Sequence, residues 1–224
     1  MSAIANRKAH ILIVDDHPIV RQGIALLINR EPDLLVCSEA DDAQQAIEAN
    51  QASPHDLAIV DVSLAGTSGL DLVKQLRIKF PELLILVMSM HDETLYAERA
   101  LRLGAHGYLM KQEGTTTMLT AIRQILQGEL YVSNRMRSRL LQQLTHGAPE
   151  QSPVSILTAS EFEILHLIGM GLGTSEIAEK LKRSVKTIES HRANIRKKLD
   201  LKSGNELVLF AINWVSSSAP SARI

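Results

Sequence analysis

Five short apolar runs, at residues 11–14, 34–37, 57–60, 83–88 and 107–110, alternate with segments of helical period. Each run is continuously apolar instead of alternating in polarity, as expected of strands buried on both faces of a parallel sheet. The segments at 19–29, 42–50, 70–80, 93–103 and 115–127 are amphipathic and long enough to pack as helices. Repeated β-α units of this kind predict an α/β, doubly wound, flavodoxin-like (βα)5 domain over residues 10–127, with strand order 2-1-3-4-5.

In such a sheet the ligand site lies outside the carboxyl ends of the strands, where the strand order reverses. The first strand ends in Asp15 and Asp16, the third in Asp61, the fourth in Ser89, and the fifth, after Tyr108, in Lys111. These side chains then converge on one crevice. Carboxylates a few ångströms apart repel, so either one takes a proton or a hard cation binds between them. Mg2+ suits the second case, because it prefers oxygen ligands and keeps waters to share with a phosphate. Asp61 can then attack a phosphoryl group as nucleophile. The cation and the Lys111 ammonium neutralise the equatorial oxygens, the Ser89 hydroxyl donates to one of them, and the product is an aspartyl phosphate.

Taken singly, these residues have ordinary readings. Asp16 or His17 can cap a helix opened by Pro18, Ser89 can be a strand-end hydroxyl, Tyr108 a half-buried core ring and Lys111 a solvated charge. Their coincidence at the tips of the correct strands selects the chemical reading.

After Gly128 the β-α pattern ends. Residues 128–155 read as a connection whose polar part is 142–155, with a helix over 138–144. Residues 156–215 contain helical segments and no strand candidate. Thr158 with Glu161 and Ser203 with Glu206 fit capping boxes at helix starts. Residues 216–224 read as a frayed tail.

The chain's net charge of −1 conceals an asymmetry: residues 180–202 carry nine Lys or Arg against Glu189 and Asp200. A concentrated basic segment on an otherwise acidic chain suggests a polyanion-binding module. Within it, residues 174–181, a short turn at 182–184 and residues 185–199 fit a helix-turn-helix, whose second helix enters the major groove of double-stranded DNA. Ile188, Ile195 and Leu199 share the inward face, with His191 beside them as a core histidine. Lys186, Thr187, Glu189, Ser190, Arg192, Ala193, Arg196 and Lys197 occupy the other surface. Only seven aromatics are present, which argues against single-strand stacking platforms. The lone Cys37, in an apolar run, reads as core and excludes an intrachain disulfide or a thiolate zinc site. No apolar run reaches membrane-spanning length and residues 1–10 lack a signal-peptide core, so a cytoplasmic location is expected.

Residues 10–127 resemble the receiver domain of a two-component response regulator. The likeness is carried by Ile13-Val14-Asp15-Asp16-His17, Val60-Asp61-Val62-Ser63, Met88-Ser89 and Tyr108-Leu109-Met110-Lys111. It implies that Asp61 is the phosphoacceptor, Asp16 a direct Mg2+ ligand, and Asp15 a ligand acting mainly through water, with the Ser63 backbone carbonyl completing the set. It also implies that Ser89 and Tyr108 form a switch pair, the ring following the hydroxyl toward the phosphoryl group. One position departs from that pattern: Ala65 stands where proline usually follows the phosphoacceptor.

Residues 157–213 resemble a LuxR-type helix-turn-helix, through Leu157-Thr158-Ala159-Ser160-Glu161, residues 171–178, residues 185–195 and Lys198-Leu199. Together the two likenesses indicate the NarL/FixJ subfamily, and imply a cognate sensor histidine kinase as phosphodonor and a homodimer on DNA after phosphorylation. By position, Glu189, Ser190 and Ala193 face base edges, and Lys186, Thr187, Arg192, Arg196 and Lys197 face phosphates. Many relatives carry lysine where Glu189 stands; a carboxylate instead accepts from cytosine N4.

Two other classes fit parts of the pattern. An aspartate-nucleophile phosphatase or phosphotransferase would need a second carboxylate two residues after Asp61, where Ser63 stands. A receiver serving only as a dimerisation scaffold would tolerate loss of Asp15, Asp16, Asp61 or Lys111, all of which are present. A regulator without enzymatic turnover is therefore expected.

Overall fold

The computed structural model describes residues 7–64, 66–90, 92–145 and 153–218. Ala65, the departure noted above, lies outside them. In chain order the first compact unit comprises β1 (Ala9–Val14), α1 (Pro18–Asn29), β2 (Leu34–Ala40), α2 (Ala43–Ala52), β3 (Leu57–Asp61), the short β4 (Ser63–Leu64) and β5 (Thr67–Ser68), α3 (Gly69–Lys79), β6 (Leu84–Ser89), α4 (Glu93–Arg102), β7 (Gly107–Met110) and α5 (Thr115–Leu126). Five strands form one parallel sheet in the order β2-β1-β3-β6-β7. This is the predicted flavodoxin-like order, with the reversal between β1 and β3.

Strand period sets which side chains go where. Ile11 and Ile13 of β1, Leu57 and Ile59 of β3, Leu86 of β6 and Leu109 of β7 pack on one sheet face against Ile24 and Ile28 of α1 and Ile122 and Ile125 of α5. The intervening Leu12, Val14, Ala58, Val60, Ile85 and Val87 are also fully buried. Each large aliphatic so removed from water contributes roughly 2 kcal/mol. With both faces covered, the sheet leaves only its strand tips open for chemistry.

Strand β2 departs from the expected burial. It is an edge strand buried only at its ends, Leu34 and Ala40, with exposed and half-buried residues alternating between them. Its register with β1 shifts between Ile11↔Val36 and Leu12↔Ser38, so Cys37 has no pairing partner in β1. A bulge of this kind turns the extra residue out, and Cys37 is exposed instead of core. The sequence also concealed the β4–β5 hairpin, which pairs Ser63 with Ser68 and Leu64 with Thr67. Two-residue strands are too short to show a period.

The first unit also runs further than residue 127: it extends through Leu141. Tyr131 bridges Gly107 in parallel register. Its carbonyl accepts from the Tyr108 N–H at 3.0 Å and its N–H donates to the His106 carbonyl at 2.9 Å, covering the outer edge of β7. Helix α6 (Asn134–Thr145) follows, anchored by the fully buried Met136. The Ser133 hydroxyl donates to Glu93 Oε1 at 2.7 Å, and Arg139 donates to the Thr94 carbonyl at 3.2 Å. Residues 128–141, read from the sequence as connection, therefore pack on β7 and α4. The helix expected over 138–144 is present and starts earlier, at Asn134, whereas the single bridging residue Tyr131 leaves no periodic signal.

The second unit contains a 3-10 turn (Pro153–Ile156), α7 (Ala159–Gly169), α8 (Thr174–Lys180), α9 (Val185–Lys198) and α10 (Gly204–Ser218). The Thr158–Glu161 capping box is complete. At α10 the reciprocal bond is displaced by one residue: Ser203 Oγ accepts from the Glu206 N–H, but Glu206 accepts from the Lys202 N–H. The core uses Phe162, Ile177, Ile188, Ile195, Leu207 and Ala211, and Phe162 meets Trp214 edge to face at 5.2 Å. Leu209 and Ile212 on α10 remain exposed.

Candidate phosphoacceptor pocket and nucleic-acid interface

Three strand tips deliver the charged groups of the pocket. β1 ends at Val14 and passes into Asp15 and Asp16, β3 ends in Asp61, and β7 passes into Lys111. Lys111 Nζ donates to Asp15 Oδ2 at 2.6 Å and lies 2.7 Å from Asp61 Oδ2, bridging the two buried carboxylates. Its own backbone N–H is tied to the Ser89 carbonyl at 2.8 Å, which sets where the side chain starts. Burial works against the lysine charge, yet Asp61 and Asp15 hold its titration above the usual range. Burial pushes the Asp61 carboxyl up to about 6, against the opposing pull of Lys111 and with Asp15 adding repulsion.

The carboxylates of Asp15, Asp16 and Asp61, with the His17 imidazole, offer ligand atoms all within 4.8 Å of one another. This donor set is rich in oxygen and suits a hard divalent cation. His17 is a site residue that the sequence left as a possible cap. It occupies the N-cap position of α1 but makes no side-chain cap bond. Its Nδ1 lies 2.8 Å from Asp16 Oδ1 and 3.3 Å from Asp15 Oδ1.

Ser63 lies one residue beyond the Asp61-Val62 step, and its backbone N–H bonds the Asp61 carboxylate. The hairpin returns the chain so that the Gly69 N–H donates to the Val62 carbonyl at 2.7 Å. At Gly69 a Cβ would stand 1.8 Å from the Asp61 carbonyl oxygen. Only glycine admits that approach, a requirement with no periodic signature in the sequence. Ser89 and Tyr108 are both buried, and the Tyr108 phenol hydrogen-bonds the Ser89 hydroxyl; burial raises the phenol's titration and the Ser89 bond opposes the rise. The tyrosine ring thus lies inside, beside the hydroxyl with which the sequence paired it.

In the second unit, Ser184 caps α9: its Oγ accepts from the Thr187 N–H at 3.0 Å and lies 2.7 Å from Thr187 Oγ1. Lys182 takes a positive φ of 50° in the turn before it. Lys186, Thr187, Glu189, Ser190, Ala193 and Lys197 are exposed on α9. Arg196 is partly buried. So is Arg192, which lines a cavity of about 250 Å³ with Ile168, Leu172 and Val208. Burial, with the Arg196 charge beside it, lowers the Arg192 titration. His191 is half-buried, while Ile188 and Ile195 face fully inward as expected. Lys198 is engaged within the unit, donating to the buried Glu161 at 2.7 Å.

Comparison with known proteins joins these two halves. The family described as response regulator receiver domain matches residues 11–123, and that described as bacterial regulatory proteins, luxR family, matches residues 155–211. The chain belongs to the NarL/FixJ subfamily of two-component response regulators, phosphorylation-dependent regulators of transcription that join a receiver to a LuxR-type DNA-binding domain. Among curated relatives, the oxygen regulatory protein NreC of Staphylococcus haemolyticus (strain JCSC1435) is 38% identical over 208 residues, covering 90% of this chain and 96% of that protein. NreC of Staphylococcus carnosus (strain TM300) is 36% identical over the same length. Among solved structures, the RcsB response regulator of Salmonella typhimurium aligns with a TM-score of 0.65 at 28% identity, covering 95% of this chain and 99% of that one. RcsB from Salmonella enterica serovar Typhimurium, bound to promoter rprA in the presence of phosphomimetic BeF3−, aligns with a TM-score of 0.60 at 28% identity, covering 92% and 99%. Among the described residues no helix is long and apolar enough to cross a membrane.

Proposed function

We propose that Asp61 accepts a phosphoryl group from the phosphohistidine of a cognate sensor kinase, or from a small acyl phosphate, and that this modification controls sequence-specific binding to double-stranded DNA. The observation that carries the reading is the Lys111 ammonium held between Asp15 and Asp61. An Asp61 oxygen attacks phosphorus while the bond to the donor breaks, and the departing imidazole keeps the electron pair and takes a proton from solvent. Lys111 is placed to stay beside the oxygens that carry the transferred charge, and the Ser89 hydroxyl to donate to one of them. Asp15, Asp16, Asp61 and the Ser63 carbonyl would hold Mg2+, which when bound supplies positive charge against the phosphoryl oxygens. Ser89 would leave Tyr108 for the phosphoryl group, making these two the switch pair.

The working units of this reading are the receiver at 10–127, to which 128–141 of the connection 128–155 is packed, and the DNA-binding domain at 156–215. Glu189, Ser190 and Ala193 read bases from α9, while Lys186, Thr187, Arg192, Arg196 and Lys197 contact phosphates. The phosphorylated chain acts as a homodimer in the cytoplasm. It does not turn over the phosphoryl group as an enzyme would, since Ser63 offers no carboxylate for hydrolysis. Labelling with acetyl phosphate, with and without Mg2+, tests the chemistry. Stable label in the wild type that requires Mg2+ and is absent from Asp61→Ala supports it, and label in Asp61→Ala overturns it. Equal DNA affinity with and without a phosphoryl mimic would overturn the coupling.

A further inference from the structure

We propose that His17 Nδ1 is a direct ligand of the cation in this pocket, and that it tilts the pocket's preference from Mg2+ toward first-row transition ions such as Mn2+. The inference rests on the reading of Asp15, Asp16 and Asp61 as the cation site. Its starting point is local geometry. Pro18 opens α1, and the His17 N–H donates to Asp15 Oδ1 at 2.8 Å, so the backbone fixes the imidazole at the mouth of the acidic pocket. The side chain is not used to cap the helix.

The spacing of the polar atoms fits shared ligation. Octahedral bonds of about 2.1 Å set neighbouring ligand atoms about 3.0 Å apart and opposite ones about 4.2 Å apart. Nδ1 lies 2.8 Å from Asp16 Oδ1 and 3.3 Å from Asp15 Oδ1, values on either side of the neighbouring spacing. With Asp61 included the whole set lies within 4.8 Å, a limit about 0.6 Å beyond the opposite-ligand spacing, so a bound ion would draw the side chains slightly inward. Lys111 is drawn to the Oδ2 atoms of Asp15 and Asp61, so the Asp15 oxygen that faces His17 is the one the lysine leaves aside.

Without a cation, Nδ1 hydrogen-bonds Asp15 Oδ1 at 3.3 Å. With a cation between them, the proton moves to Nε2 of a side chain that is 63% exposed, where water accepts it, and the Nδ1 lone pair faces the metal. Imidazole nitrogen binds first-row transition ions better than it binds Mg2+, which favours oxygen, with Mn2+ gaining least of that series. The one nitrogen therefore strengthens transition-ion binding without helping Mg2+ in proportion.

The test uses the full-length protein with Mn2+ and Mg2+ as probes. Pulsed electron paramagnetic resonance of bound Mn2+ reads nitrogen coupling directly, and competition titration gives the Mn2+ to Mg2+ affinity ratio. We expect imidazole coupling in the wild type that is lost in His17→Ala and in His17→Gln, with the affinity ratio falling about tenfold in both. Gln keeps a hydrogen-bond donor but offers only oxygen to the ion, so it separates ligation from local structure. Bound Mn2+ without nitrogen coupling, or an unchanged ratio in the variants, overturns the proposal and leaves the phosphoacceptor reading standing. Failure of the wild type to bind either ion overturns both.

Discussion

Lys111 reaches across the intervening strand β6 to place its ammonium 2.7 Å from Asp61, so the candidate nucleophile on β3 receives its counter-charge from the sheet's last strand. Two consequences of this pairing can be measured directly, one from removing the lysine and one from titrating the acid.

Lys111→Met removes the ammonium that bridges the buried Asp15 and Asp61 carboxylates and leaves their repulsion uncompensated by it. Stripping one partner from a buried ion pair typically costs about 3 to 5 kcal/mol. Thermal unfolding in a chelator should therefore show a large drop in midpoint, and millimolar Mg2+ should recover more stability in the variant than in the wild type. Equal response of the two proteins to Mg2+ would contradict this account of Lys111.

The native Asp61 carboxyl holds its proton more tightly than the unfolded one, about 6 against 3.8. A raised acid of this kind favours folding below the unfolded value, and that contribution is lost as pH rises through about 6. The difference corresponds to about 3 kcal/mol at most. In metal-free protein, Asp61→Asn should thus be more stable than wild type at pH 7.5, with the advantage fading toward pH 4. Urea unfolding at the two pH values checks the sign.

Gly69→Ala should damage the pocket from behind. A Cβ there meets the Asp61 carbonyl oxygen and the Val62 Cα, both backbone atoms that cannot swing aside. Overpacking of this severity costs about 1 to 3 kcal/mol or more, and displacing the nucleophile's backbone should slow acetyl phosphate labelling at least about tenfold. Labelling at the wild-type rate would show that the loop shifts without moving Asp61.

On α9, Glu189→Lys should change which operator sequence is preferred, since the exposed carboxylate accepts from a base where an ammonium donates. Arg196→Glu or Lys197→Glu should instead weaken binding to all sequences alike and reduce the salt dependence by about one phosphate contact. Binding titrations across salt concentrations and a randomised site library separate the two effects.

Ser133→Ala removes the hydroxyl that donates to the buried Glu93. An unsatisfied buried acceptor costs about 1 to 3 kcal/mol. Hydrogen exchange at the Tyr108 and Tyr131 amides, which hold this segment to β7, should accelerate together. Unchanged exchange would mean that the Tyr131 bridge and Met136 suffice.

The sheet order and the acid-ended strands were legible because a strand buried on both faces must be continuously apolar and because polar side chains at its tip have few structural uses. The same rule misread β2, where an edge position and a bulge bring Cys37 to the surface. The hairpin after Asp61 and the bridge at Tyr131 involve one or two residues each, below the length at which periodicity speaks. Gly69 and His17 were hidden for another reason. Their importance lies in distances to atoms of the Asp15–Asp61 pocket, and a glycine before a helix or a histidine before a proline has ordinary local explanations. The charge count over residues 180–202 overstated the available cations, since Lys198 is paired with Glu161 within the unit.

The outward turn of Cys37 has a practical use. The chain holds a single cysteine and a single tryptophan; the first is exposed on β2, and the second, Trp214, packs on Phe162 in the other unit. A thiol-reactive acceptor dye on Cys37, with the native indole as donor, would form an energy-transfer pair spanning the two units without any mutation. Any rearrangement of the units on addition of a phosphoryl mimic would then register optically in the unaltered polypeptide.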